Sequence, residues 1–248
     1  MKAAMIAFSL YSRIPMPSFP WEDRDRKNAL HFFPLVGCAA GIVFFAAFSF
    51  LQQTSLGVIL RSALLTAVPL LFTGGIHMDG FMDTCDAMAS WGDREKKLAI
   101  LKDSHTGAFA VMACSLYLLL YTAGCTEFTE RTAAAVSFGF PLSRSLCGLL
   151  ISSLPQARET GMLSDLTKET AFFKLRRIMI GSLFIFGVLF FMTAGTGSLW
   201  IFGVLAVFFG FSRRRFLREF GGITGDLSGY FVTVSELLIL IGAAVLVR

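Results

Sequence analysis

Charge is what this sequence has least of. Only 16% of its 248 residues are Asp, Glu, Lys or Arg, while 55% are hydrophobic; ordinary soluble domains carry about 25% charged residues. The shortage excludes a soluble domain of this length, which has too little interior for so much apolar surface. A mean hydropathy of +0.67 and 27 phenylalanines point the same way, to an integral membrane protein. Cysteine is also sparse. The five, at positions 38, 85, 114, 125 and 147, have no CxxC or zinc-finger spacing, which leaves them as small apolar fillers. Internal repeats, low-complexity tracts and loops long enough for a second domain are absent, so residues 1–248 are expected to form one membrane domain. The run after Lys2 is short and ends at Arg13, so no cleavable signal peptide is expected.

What is present is a series of charge-poor stretches of about 18 to 22 residues, the length a helix needs to cross roughly 30 Å of hydrocarbon. They are 35–52, 56–73 with Arg61 inside, 106–126, 132–154 with Arg144 inside, and 227–247 with Glu236 inside. From Ile178 to Ser212 no residue is charged. That run is too long for one crossing, and AGTGS at Ala194–Ser198 offers a turn in its middle. The pattern predicts an all-α polytopic bundle of about seven transmembrane helices, within a range of six to eight.

Lys and Arg are distributed unevenly around those spans. Segments 1–27, 74–105, 155–177 and 212–226 hold eighteen of the 22, and the segments on the other side hold only Arg131 and Arg248. The positive-inside rule predicts a cytoplasmic amino terminus and cytoplasmic basic loops. Anionic headgroups at that leaflet account for the net charge of +5 with no nucleic acid partner.

Against this background GGIHMDGFMDTCDA, Gly74 to Ala87, concentrates acid. Asp79, Asp83 and Asp86 are spaced i, i+4 and i+7, within an arc of roughly 60° on one helical face. Like charges so placed destabilise a helix, and a divalent cation would relieve them. Oxygen ligands without cysteine favour Mg²⁺ or Mn²⁺ over zinc. The stripe is about 10 Å long, so one ion cannot touch all three, and another segment must close the site or two ions share it. The bland alternative is a solvated helix face balanced by Arg94, Lys96 and Lys97. His77 has the weaker claim of a lone boundary histidine.

Two further stretches fall on the same side. GGITGDLSG, Gly221 to Gly229, opens the last span; Gly221, Gly222 and Gly225 would let a backbone approach phosphate at a helix amino terminus, and Asp226 would complete a metal site. KDSHTG places Asp103 and Ser104 before the 106–126 span, as site residues or as plain helix caps. Arg13 and Arg158 are candidate phosphate contacts with headgroup-facing alternatives. Arg144 and Glu236 lie inside spans, where ionisable groups are paired or functional. Acids, glycine turns and basic side chains on one face suit a diphosphate substrate whose leaving group a metal neutralises.

SRIPMP, HFFPLVG, GGIHMDGFMDTCDA, KDSHTGAF and GGITGDLSG stand in the order and spacing of the cobalamin synthase family, which the chain resembles over nearly its whole length. The resemblance implies an inner-membrane, Mg²⁺-dependent adenosylcobinamide-GDP ribazoletransferase that joins adenosylcobinamide-GDP to α-ribazole or its 5′-phosphate and releases GMP. It carries metal or phosphate roles onto Asp79, Asp83, Asp86, Asp103 and Asp226, and extends to Glu236. Asp83, Asp86 and Asp103 are the expected catalytic acids. The partners implied are the two small molecules and membrane lipid; a homo-oligomer is compatible with the sequence. The chain departs from the family pattern at Ala87 and Ala110, where Gly is common, and at His105, where Arg is. Two rival readings are a CDP-alcohol phosphotransferase, whose DGxxAR pattern fails because Asp83 stands at the Ala position, and a transporter, which would carry its charges at mid-depth.

Overall fold

A computed structural model describes residues 2–18, 20–21, 23–167 and 170–247, without the side chains of Asp23 and Arg24. Of the basic residues counted above, Lys168, Arg248 and the side chain of Arg24 therefore lie outside the described residues.

Every named element is helical. In chain order they are α1 (Lys2–Tyr11), α2 (Asp23–Arg26), a 3-10 turn (Ala29–Phe32), α3 (Phe33–Gln52), α4 (Val58–Thr73), α5 (Ile76–Ala89) and α6 (Arg94–Ile100). Then come α7 (Ala108–Thr126), α8 (Glu130–Ser153), α9 (Met162–Thr167), α10 (Phe172–Ala194), α11 (Gly197–Phe220) and α12 (Gly225–Leu246). Among the described residues five helices are long and apolar enough to cross a membrane, namely α3 with its preceding turn, α7, α8, α10 and α12; a sixth is counted if α4 and α5 are taken as one broken span. The two remaining predicted spans run between the same two ends but are marginal for physical reasons. α4 has 16 residues, about 24 Å of helix, and α11 ends in Arg213, Arg214, Arg215 and Arg218. The AGTGS turn is present, with α10 ending at Ala194, α11 starting at Gly197 and Gly195 at φ +68°.

The alternation of direction is visible in contacts at the two ends. At one, Arg13 N–H donates to the Phe72 carbonyl at 2.7 Å, Ala157 N–H to that of Ile223 at 2.9 Å, and Lys97 pairs with Glu219 at 2.7 Å. At the other, Arg131 Nε donates to the Thr193 carbonyl at 2.6 Å and the Thr132 hydroxyl to that of Val247 at 3.1 Å. The basic segments predicted to share a side do share an end.

α8 is the bundle's centre, buried over 72% of its span against 17% for α10. It meets α3 through glycines. A Cβ at Gly41 would stand 2.2 Å from the Ser137 carbonyl oxygen, and one at Gly37 would stand 2.7 Å from the Pro141 Cα. Without a hydrophobic drive between helices in lipid, such close backbone approach supplies the packing. Inside this core Arg144 is fully buried and pairs with Glu236 on α12, with Ser143 and the Phe140 carbonyl also in contact and the Phe33 and Phe140 rings 5.9 and 5.8 Å from the guanidinium. Arg144 and Glu236, each inside a predicted span, therefore form an ion pair.

Segment 74–105 is more ordered than a loop. Gly74 and Gly75 take φ of +65° and +82°, a left-handed conformation that glycine adopts readily and other residues rarely. This pair breaks the chain so that α5 leaves α4 at 95°. α5 therefore lies across the charged end of the bundle.

Candidate active site

The site is made where α5 crosses α12, and glycine makes the crossing possible. A Cβ at Gly80 would stand 2.7 Å from the Asp226 carbonyl oxygen and 2.8 Å from its Cα, while one at Gly229 would stand 3.0 Å from the His77 carbonyl oxygen. The two backbones touch there. Around the contact, the Thr233 hydroxyl donates to the His77 carbonyl at 3.1 Å, and Phe81 stacks on Tyr230 at 5.8 Å. Asp79 and Asp83, which flank Gly80 on α5, are thereby held beside Asp226 on α12.

Asp226 sits in the first turn of α12, whose amino terminus Thr224 caps by accepting from Leu227 N–H at 3.2 Å. Its carboxylate accepts from the Thr224 hydroxyl at 3.4 Å and faces Arg158 Nη1 at 3.5 Å. Arg158 is delivered by a short parallel bridge between Gln156 and Ile223, and its Nη2 donates to the Leu98 carbonyl at 2.6 Å. Asp83 is half-buried. Burial, then the charges of Asp79, Asp226 and Asp86, push its carboxyl up to about 6, with Arg158 opposing them. The physical cause is a surplus of acid over base in a partly desolvated place.

Not every residue singled out in the sequence joins this group. Asp86 caps α7, its two carboxylate oxygens accepting from Gly107 N–H at 2.6 Å and Ala110 N–H at 2.8 Å. Asp103 is exposed and accepts from the His105 backbone at 3.0 Å, with the His105 ring 2.7 Å away; neither it nor the exposed Ser104 caps α7. Of the glycines, Gly221 caps α11 at φ +72° beneath the Arg94 guanidinium, and Gly222 abuts the Pro155 carbonyl. Of Gly221, Gly222 and Gly225, the last has open space around it. Arg13 is exposed and lies over Gly74. Glu236 is tied to Arg144, away from the acids.

Beside the acids opens a cavity of about 330 Å³ whose lining includes Asp79, Asp226, Arg158, Tyr11, Phe33 and His77. The aromatic wall and the strand-like 155–158 segment have no sequence signature. Only a contact between distant segments places them, although His77 next to the acid stripe was a usable signal.

For a metal ion the donors fit in kind: hard carboxylate oxygens whose mutual repulsion a cation relieves. Among the described residues no three of His, Cys, Asp and Glu converge on a single point. A Mg²⁺ ion needs only one or two carboxylates, the rest of its shell being water and substrate phosphate.

Comparisons with known proteins agree with one another. The family model described as cobalamin-5-phosphate synthase matches residues 3–244. Adenosylcobinamide-GDP ribazoletransferase from Lachnoclostridium phytofermentans is 38% identical over 235 residues, 94% of this chain and 89% of the relative. Enzymes of the same name from Clostridium botulinum and Pseudomonas aeruginosa are 32% identical over 244 residues, covering 98% of this chain and 96% of the relative, and 31% identical over 248 residues, covering 98% of each. No solved structure matches.

Proposed function

The chain belongs to the cobalamin-5-phosphate synthase family, and on that premise we propose that it is an adenosylcobinamide-GDP ribazoletransferase acting in cobalamin biosynthesis. The observation that carries the reading is the pairing of Asp79 and Asp83 on α5 with Asp226 and Arg158 at one charged end of a membrane bundle. The reaction joins adenosylcobinamide-GDP and α-ribazole, or α-ribazole 5′-phosphate. A ribose hydroxyl of the acceptor attacks the phosphorus attached to cobinamide, the new P–O bond forms as the bond to GMP breaks, and the hydroxyl proton leaves through a carboxylate to water.

Mg²⁺, held by Asp79 and Asp226, would supply charge neutralisation for the diphosphate and its leaving group. Asp83 is suited to accept the hydroxyl proton, because burial and neighbouring acids raise its carboxyl toward neutrality. Arg158 holds the Asp226 carboxylate and offers its guanidinium to phosphate oxygens. Asp86 positions α5 relative to α7 through its two backbone hydrogen bonds, and is a scaffold for the site. Gly225 leaves the start of α12 open to an anion.

The whole chain acts as one membrane domain, and the basic end faces the cytoplasm of a bacterial inner membrane, where activated nucleotides are made. Membranes containing the protein, given adenosylcobinamide-GDP, α-ribazole and Mg²⁺, will form cobalamin and GMP in equal amounts. GMP without cobalamin, or no product in Mg²⁺ that appears when Mg²⁺ is removed, contradicts the proposal.

A further inference from the structure

We propose that the cavity beside Asp79 and Asp226 is the acceptor pocket, receiving the aromatic base of the ribazole nucleoside, while the far larger corrinoid diphosphate stays outside it. The inference rests on the function proposed above and assigns one of its two substrates to a place. Size is the first argument. A volume of about 330 Å³ is at the small end of ligand pockets; it accommodates a nucleoside and excludes a corrin macrocycle.

Chemistry is the second. One side of the cavity is apolar and aromatic. Tyr11 and Phe33 are almost fully buried, and the His77 ring stacks on Tyr11 at 6.1 Å and meets Phe33 edge-on at 5.9 Å. A flat heteroaromatic base matches such a wall. His77 Nε2 is buried and has no hydrogen-bond partner among the described residues. The lining also carries Asp79, Asp226 and Arg158, and carboxylates accept hydrogen bonds from hydroxyl groups. A nucleoside has this polarity: an uncharged aromatic end, then a hydroxylated ribose that would meet the acids where the phosphorus arrives.

Charge is the third argument. Of the cationic side chains near the site, Arg158 lines the cavity and is paired with Asp226, whereas Arg13 over Gly74 and Arg94 over Gly221 are not among the lining residues.

The test uses the full chain in detergent and separates the two substrates. Thr160 lies on the cavity wall and is exposed, so Thr160→Trp obstructs the cavity without disturbing the core, and the exposed Met162 gives a second variant, Met162→Trp. Each is expected to raise KM for α-ribazole about tenfold or more while KM for adenosylcobinamide-GDP stays within about twofold. Equilibrium dialysis with α-ribazole alone should show binding to the wild type and its loss in both variants. An unchanged α-ribazole KM in both variants, or equal rises for the two substrates, overturns the pocket assignment while the enzyme's activity stands. A wild type that makes no cobalamin overturns both.

Discussion

Two helix pairs of this molecule use glycine in opposite ways. Where α5 crosses α12, Gly80 and Gly229 are filled against backbone, and a single added carbon would strike Asp226 or His77. In the α10–α11 pair, Gly181, Gly187, Gly203 and Gly210 have nothing within 4 Å of the place a Cβ would occupy. The same residue is an obligatory contact in one pair and a bystander in the other. The difference lies in what the contact must deliver. The α5–α12 crossing places carboxylates from two helices side by side against their own repulsion, and only tight, inflexible backbone packing can hold them there. α10 and α11 line an apolar groove and bring no ionisable group to the site.

The comparison is broken most directly at the acids themselves. Asp83→Asn should reduce GMP release by about a thousandfold, the scale of losing a group that acts only in the transition state, while Asp103→Asn stays within about threefold because Asp103 pairs only with exposed His105. Equal losses in the two would erase the distinction between the crossing and its surroundings.

Next in size is the ion pair beneath. Arg144→Met leaves Glu236 buried without its partner, and should destabilise the detergent-solubilised protein by about 3–5 kcal/mol, read as a fall in the thermal midpoint. A double variant, Arg144→Met with Glu236→Leu, should recover most of that loss, since replacing both partners removes the stranded charge.

Packing comes third. Gly80→Ala forces α5 off α12 and should lower stability by about 1–3 kcal/mol with a larger loss of turnover. Gly187→Ala should change neither, and a loss there matching that at Gly80 would mean the open groove is closed in the membrane. The smallest effect is electrostatic. Because the folded protein holds the Asp83 proton up to about pH 6 and the unfolded chain releases it near pH 4, stability falls as pH rises through that window. Asp83→Asn removes this penalty, so without Mg²⁺ it should melt higher than wild type at pH 7 by about 1 kcal/mol after allowance for solvent screening, and added Mg²⁺ should close the gap.

Much of this was legible in the sequence because membrane physics is written in long, uniform runs. Six charge-poor stretches, the AGTGS turn that splits the longest and the one-sided Lys and Arg came directly from hydrocarbon thickness and charge. The i, i+4, i+7 aspartates read correctly as one face of a helix. What escaped was anything set by a contact between distant segments. Gly74 and Gly75 stood in the sequence only as the start of the acidic stretch and are the hinge that turns α5 away from α4. Asp86 matched the stripe and is spent on the start of α7. Gly221 and Gly222 matched a phosphate loop and are consumed by a helix cap and by Pro155. Spacing along a chain reports which residues share a face, and it carries no information about what that face meets.

The central claim is that acids from α5 and α12 work as a single unit because the crossing holds them together. GMP release by Asp83→Asn, Asp226→Asn and the double variant tests it. The account predicts that each single substitution costs about a thousandfold and that the double falls little further, as residues acting as a unit do; losses that multiply in the double variant would mean the two acids act independently, and would contradict it.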